Sequence, residues 1–186
     1  MRGRTAAVLL LCASASVGCS SDAAGPAVTD GPTVTICDPS GEPQAEEDLP
    51  AVASVRTAMA DLDGRLGVPQ QYFEVNATAR LVNLFVALNG GTVAQAWVWV
   101  DGELTSAEPQ SASGGTFTLA DVDLDESVAL TTVRSEIPDA LLESFYVHGD
   151  GAGNVQYGVL TSALCGGGLE VIVGADGAVE SVDPVN

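Results

Sequence analysis

The sequence contains no lysine. Its six basic residues are all arginine and stand against 25 acids, for a net charge of −19 over 186 residues. Such a field repels phosphate backbones and anionic headgroups, so nucleic acid is excluded as a partner, while basic proteins and divalent cations would be attracted. The same charge also serves simply to keep a protein soluble. Aromatic residues are scarce, at 5% against a hydrophobic fraction of 46%. That composition, rich in alanine and valine, is globular and not disordered. The length suits one ordinary domain or two small units sharing a core, and rules out a large multidomain enzyme.

Catalytic patterns are missing too. There is no Gly-x-Ser-x-Gly, no phosphate-cradling loop, no dinucleotide fingerprint and no zinc spacing. The run Asp121-Val-Asp-Leu-Asp-Glu126 opens like a calcium loop. Glu126 stands where that loop needs glycine and Thr132 where it needs a bidentate acid, so an EF-hand is excluded and the acids read as charge at a helix N-terminus. His148, the only histidine, precedes Gly149 at a strand end with no cysteine or serine motif placed to use it, and reads as a turn residue. No metal and no cofactor is expected.

What is present begins with an address. Arg2 and Arg4 precede an uncharged run from Thr5 to Ala15, the n-region and h-region of a secretory signal and too short to span a bilayer. The run ends in Ala15-Ser-Val-Gly-Cys19, which resembles the lipobox of bacterial lipoproteins, with Ser16 where leucine is commonest. The resemblance implies that residues 1–18 are removed as a signal peptide, and that Cys19 becomes the acylated first residue, anchoring the protein in a membrane outside the cytoplasm. Two or three acyl chains, at about 0.8 kcal/mol per buried methylene, hold where one is marginal. The alternative is an ordinary secretory cut near Ala15. Residues 19–44 read as a flexible tether of Gly, Pro, Ser, Ala and acids, with one β-prone run from Thr33 to Cys37. With Cys12 lost in the signal and Cys19 carrying lipid, Cys37 and Cys165 remain, and in an exported protein such a pair reads as a disulfide. Closing so long a loop is worth about 4 to 5 kcal/mol in the chain-entropy picture.

The body of the chain reads as a duplication. Trp97-Val-Trp-Val-Asp-Gly-Glu-Leu-Thr-Ser-Ala-Glu-Pro109 shares its pattern with Ile172-Val-Gly-Ala-Asp-Gly-Ala-Val-Glu-Ser-Val-Asp-Pro184, with Asp101 and Asp176 lying 75 residues apart. In residues 45–110 a helix is expected from an N-cap at Asp48, with Leu49, Val52, Val55, Met59, Leu62 and Leu66 on one stripe and stops at Gly64, Gly67 and Pro69. Strands follow over 72–78, 81–89, 93–100 and 103–107. In residues 111–186 a helix starts at Asp123 or Asp125 and breaks near Glu136, before Pro138. Strands follow over 144–148, 155–164, 169–174 and 178–182. Short turns make neighbouring strands antiparallel. The expected fold is α+β: two tandem repeats, each a helix plus three or four strands, forming one sheet with both helices on one face. That element order resembles PepSY-like domains and the tandem repeats of secreted β-lactamase inhibitor proteins, over about residues 45–186. The resemblance implies binding or inhibition and transfers no active site.

Alternation assigns faces. In the third strand Ala94, Ala96, Val98 and Val100 are expected under the helix, as are Leu169, Val171, Val173 and Ala175 in its counterpart. Phe85, Trp97 and Trp99 are then expected to cluster on the open face, with Arg80 as a polar rim, forming a partner-binding patch. Local packing of the same rings is the alternative. The expected function is a lipid-anchored extracytoplasmic binding module of the cell envelope, non-catalytic, meeting a protein or small ligand through that patch. An acidic metal-dependent enzyme and a ligand-free envelope structural protein are the competing classes.

Overall fold

The computed structural model describes residues 43–163 and 165–185. The expected signal peptide, Cys19, the tether up to residue 42 and Cys37 lie outside the described residues. Cys165, in the turn between two strands of the second half, is disulfide-bonded.

The first helix, α1, spans Ser54–Leu66 and starts later than an N-cap at Asp48 would place it. Proline restricts the residue before it to extended backbone. Leu49, preceding Pro50, accordingly has φ −75° and ψ 147°, so Glu46–Asp48 closes as a separate 3₁₀ turn. From Ser54 the expected stripe holds at Val55, Met59 and Leu62, which are buried together with Ala58, but its last member, Leu66, is 41% exposed. Gly67, at φ 79°, ends the helix by donating its N–H to the Asp63 carbonyl. The second helix, α2, spans Glu126–Glu136 and stops before Pro138 as expected. Ala129 and Val133 are its fully buried residues.

Nine strands among the described residues form one antiparallel sheet. They are β1 (Tyr72–Ala77), β2 (Val82–Leu88), β3 (Val93–Val100), β4 (Glu103–Ser106), β5 (Gln110–Ser111), β6 (Ala140–Gly149), β7 (Val155–Ala163), β8 (Gly168–Val173) and β9 (Val179–Val185). The order is β4-β3-β2-β1-β6-β7-β8-β9, with β5 also on β3. Each helix is thus followed by a meander, and the first strands of the two meanders, β1 and β6, pair at the centre. Asp101 and Gly102, both at positive φ, make the two-residue turn between β3 and β4 that the Asp-Gly pair requires. The segment before α2 also joins the centre: Tyr72 and Phe117 exchange both backbone hydrogen bonds, at 2.8 and 2.9 Å, and Gly115 bridges Gly149. Gln44, at the end of the expected tether, is held there as well. Its amide donates to the Leu142 carbonyl and accepts from the Leu142 N–H, at 2.9 and 2.8 Å.

Register fixes which side chains share a face. One row runs Val179-Val173-Tyr157-Val147-Val75-Leu84-Trp97 across seven strands, and its neighbour runs Val171-Val159-Phe145-Ala77-Val82-Trp99. Val55, Ala58, Met59 and Leu62 of α1 and Val133 of α2 join these rows in a single core. The helices therefore cover one face of one sheet.

The placement of the indoles is corrected by this register. Trp97 lies opposite Leu84 and Trp99 opposite Val82, both partners fully buried. Trp97 is 8% exposed, with the Arg65 guanidinium of α1 centred 5.5 Å from its ring centroid. Trp99 donates its indole N–H to Asp61 of α1 at 2.8 Å. Both indoles lie on the α1 side, and Ala94, Ala96, Val98 and Val100 take the helix-free face instead. The physical reason is the second hairpin. Trp99 pairs with Leu104 across residues 100–103, whereas Val173 pairs with Val179 across 174–178, one residue more. Aligning the two Asp-Gly turns puts the strands one residue out of step, and one residue inverts the faces.

Candidate functional site on the helix-free sheet face

The face turned away from the helices carries two rows of its own. The first is Ser181-Ile172-Gly158-Tyr146-Asn76-Asn83-Val98-Thr105, and the second is Gln156-His148-Glu74-Phe85-Ala96. The β2–β3 half is apolar, from Phe85, Ala87, Ala94, Ala96, Val98 and the 40% exposed Val100. A groove of about 180 Å³ runs there between Phe85, Ala94 and Ala96 and the returning segment at Glu108, Gln110 and Ser111. Phe85 is thus on the expected face, but without the tryptophans. Arg80 is exposed in the turn before β2, its backbone N–H on the Thr78 hydroxyl at 3.4 Å, and the described contacts join it to none of the three aromatics.

The central half is a tied polar network. Asn83 donates to Asn76 at 2.8 Å, and Asn76 donates to Glu74 at 2.7 Å. Opposite Glu74 on β6, His148 meets the Gln156 side-chain oxygen at 2.6 Å and stacks on Tyr146, with ring centroids 5.4 Å apart. Tyr146 donates its hydroxyl to Glu170. The Tyr146 ring lies over Gly158, where even a methyl group would meet its Cε1 at 2.6 Å. Glycine is the residue that lets the ring lie flat and reach Glu170.

Tyr146 is only 7% exposed, and burial raises its phenol above the ordinary value, helped by the bond to Glu170 and by the charges of Glu170 and Glu74. Glu74 and Glu170 thus flank one un-ionised ring, each with one oxygen fixed by a hydrogen bond. None of the described arginines lies in these rows: Arg56 donates to the Val122 carbonyl, Arg65 packs on Trp97, Arg80 is in a turn and Arg134 pairs with Glu46 at 2.8 Å. Among the described residues no group of three or more His, Cys, Asp or Glu is arranged to hold a metal ion. Glu74, Tyr146 and Glu170 are not among the site residues expected from sequence, and His148, expected as a turn residue, lies within β6. The signal that marks them is period-two alternation: Glu74 and Asn76 alternate with Val75 and Ala77, and Tyr146 and His148 with Phe145 and Val147.

All three tyrosines of the chain have raised phenol values, burial being the first cause in each. Tyr72 also donates to Asp63 at 2.7 Å, and Tyr157 accepts the Asp123 N–H at 2.9 Å. A phenol held above its unfolded value near 10 contributes stability that is whole below about pH 10 and is lost as pH rises toward the folded value. With no lysine in the chain, tyrosine dominates that window. The expected result is that tyrosinate absorbance at 295 nm and loss of circular dichroism appear together above about pH 10. Tyrosinate formed near pH 10 in a protein still folded would contradict the burial of these phenols. Compared with known proteins, the chain matches no family model, no curated protein and no solved structure.

Proposed function

We propose that this chain is a lipid-anchored, non-catalytic binding module of the bacterial cell envelope, built from two copies of one helix-plus-four-strand unit, that meets its partner on the helix-free face. The anchor rests on the lipobox-like run Ala15 to Cys19. The duplication is supported by element order, since α1-β1-β2-β3-β4 recurs as α2-β6-β7-β8-β9 and each unit contributes its first strand to the centre. The same order underlies the resemblance to PepSY-like domains and β-lactamase inhibitor repeats. Cys37 is the partner proposed for Cys165.

The observation that carries the binding reading is the division of labour between the faces. The core residues of the sheet project toward the helices. The opposite face carries a hydrogen-bonded polar network beside an apolar strip. Side chains locked in this way lose little entropy when a partner docks, which is what a prepared surface needs.

Two measurements test the proposal. In a bacterial host, Cys19→Ala is expected to abolish incorporation of labelled palmitate and move the protein from the membrane fraction to the soluble one. Photo-cross-linking residues placed at Val98 and Gln156 are expected to capture an envelope protein, and the same residues at Ala60 and Glu136, on the helices, to capture none. Cross-links from the helical positions alone would overturn the choice of face.

A further inference from the structure

We infer that the partner taken by this face is a cationic polypeptide segment with an apolar end, its basic side chains received by Glu170 with Asp183 and by Glu74. The inference rests on the reading of the helix-free face as the binding surface.

Charge placement is the first support. Glu170 of β8 and Asp183 of β9 lie directly opposite each other in register, so two carboxylates share one cross-strand position on the helix-free face. Like charges so placed destabilise a sheet. Yet Tyr146 donates to Glu170 and the Ser181 hydroxyl to Asp183, at 3.2 Å for the latter, so both acids are held in place. No described arginine stands near enough to form an ion pair with either; the one described salt bridge joins Arg134 to Glu46. A guanidinium or ammonium group from outside would turn that repulsion into attraction.

Spacing is the second. Glu74 is three strands from Glu170 and four residues offset along the strands, which puts the two backbones about 20 Å apart at ordinary sheet dimensions. One small cation cannot reach both, while a polypeptide segment lying obliquely across the sheet can. Between them the Tyr146 and His148 stack forms the floor. Beyond Glu74 the path arrives at Phe85, its direct neighbour in the row, and then, keeping its slant, at Ala96 and Ala94. The surface therefore asks for basic residues at one end of the segment and apolar ones at the other. Tyr146 is here a positioning residue: it orients Glu170 and is too buried to be the contact itself.

The test uses the full chain in mild detergent and a fluorescein-labelled peptide with Lys-Ser repeats at one end and Val-Ala repeats at the other, with peptides carrying Glu or Gln in place of every Lys as counterparts. Fluorescence anisotropy is expected to show saturable binding of the lysine peptide alone. Glu170→Gln with Asp183→Asn is expected to weaken it about tenfold or more, as loss of close charge partners does. Glu47→Gln with Asp139→Asn removes the same net charge from outside this face and is expected to change binding less than about twofold, the size of a long-range field effect. Tyr146→Phe keeps the ring and removes the hydroxyl, and is expected to weaken binding while leaving the folded spectrum intact. Carbodiimide labelling of carboxylates is expected to show Glu74, Glu170 and Asp183 protected by the lysine peptide. Equal weakening by the two charge-matched pairs would reduce the effect to net charge and overturn the inference. Protection of this face by the glutamine peptide alone would also overturn it while leaving the face as the binding surface. Cross-links in cells confined to the helices remove the surface itself.

Discussion

Trp97→Ala is expected to destabilise the folded protein by about 3 to 5 kcal/mol, the usual cost of truncating a large buried ring. The measurement is chemical unfolding under non-reducing conditions. The size follows from position. Trp97 sits in the inward row beside Leu84, at the end of the core below α1, and Met59 and Leu62 of that helix are fully buried in the same cluster. Removing the indole leaves a void that α1 cannot fill without moving. A comparison of conservative variants sharpens the prediction. The Trp97 indole N–H is buried with no hydrogen-bond partner among the described residues, whereas the Trp99 N–H donates to Asp61. A buried unpaired donor costs about 1 to 3 kcal/mol, so deleting it offsets part of the lost packing. Trp97→Phe is therefore expected to cost less than Trp99→Phe relative to the ring area each removes. Had the rings lain on the free face, Trp97→Ala would leave the unfolding midpoint unchanged and act only on binding. An unchanged midpoint would sink the placement described here.

The same two residues show where sequence is informative and where it fails. Strand limits are set by turn chemistry, and turn residues are explicit: β3 is found over Val93–Val100 as its flanking Gly90-Gly91 and Asp101-Gly102 pairs require. The stop of α2 before Pro138 is equally local. Faces are different, because in β3 one set of alternate residues is apolar throughout and the other, the set that looks inward, is apolar apart from Gln95, so alternation points the wrong way. Register against β2 decides it, and register is a property of two strands. The short β5 is invisible for the opposite reason, as Gln110 and Ser111 carry no strand propensity and pair only because the chain runs on from β4 along the same edge of β3, one residue out of step after Ser106. The polar network was legible in part. Glu74, Asn76, Tyr146 and His148 each alternate with buried neighbours, so their common outward face is written in the sequence. Their adjacency is not, since β1 and β6 lie almost seventy residues apart and meet only because the two meanders join at their first strands.

That central junction is the site of the second large effect. Gly115→Ala is expected to cost about 1 to 3 kcal/mol, the range for forcing an extra methyl into a packed site, and the upper part of it because nothing flexible can yield. A Cβ on Gly115 would stand 2.6 Å from the Gly149 carbonyl oxygen and 2.7 Å from the Gly151 Cα, all backbone. Its φ is not among the left-handed ones, so the cost is contact and not conformation. Gly91 provides the contrast: it has φ 84° and nothing within 4 Å of a Cβ, so Gly91→Ala pays only the left-handed strain of about 1 to 2 kcal/mol and perturbs nothing beyond its own turn. The two variants are therefore separable by where they act as well as by how much. Hydrogen exchange should show Gly115→Ala loosening the amides of Glu74 to Ala77 and of Phe145 to Gly149, where β1 meets β6, while Gly91→Ala spares them. The loosening reaches the proposed binding face because Gly149 follows His148 in β6, and His148 faces Glu74 across that junction. A backbone pushed aside at Gly149 takes the histidine with it and spreads the row that holds Glu74. Gly115→Ala should thus weaken binding of the lysine peptide although it touches none of the proposed contact residues. If it unfolds with the wild-type midpoint and exchanges like wild type, the bridge from Gly115 to Gly149 is not what holds the two meanders in register.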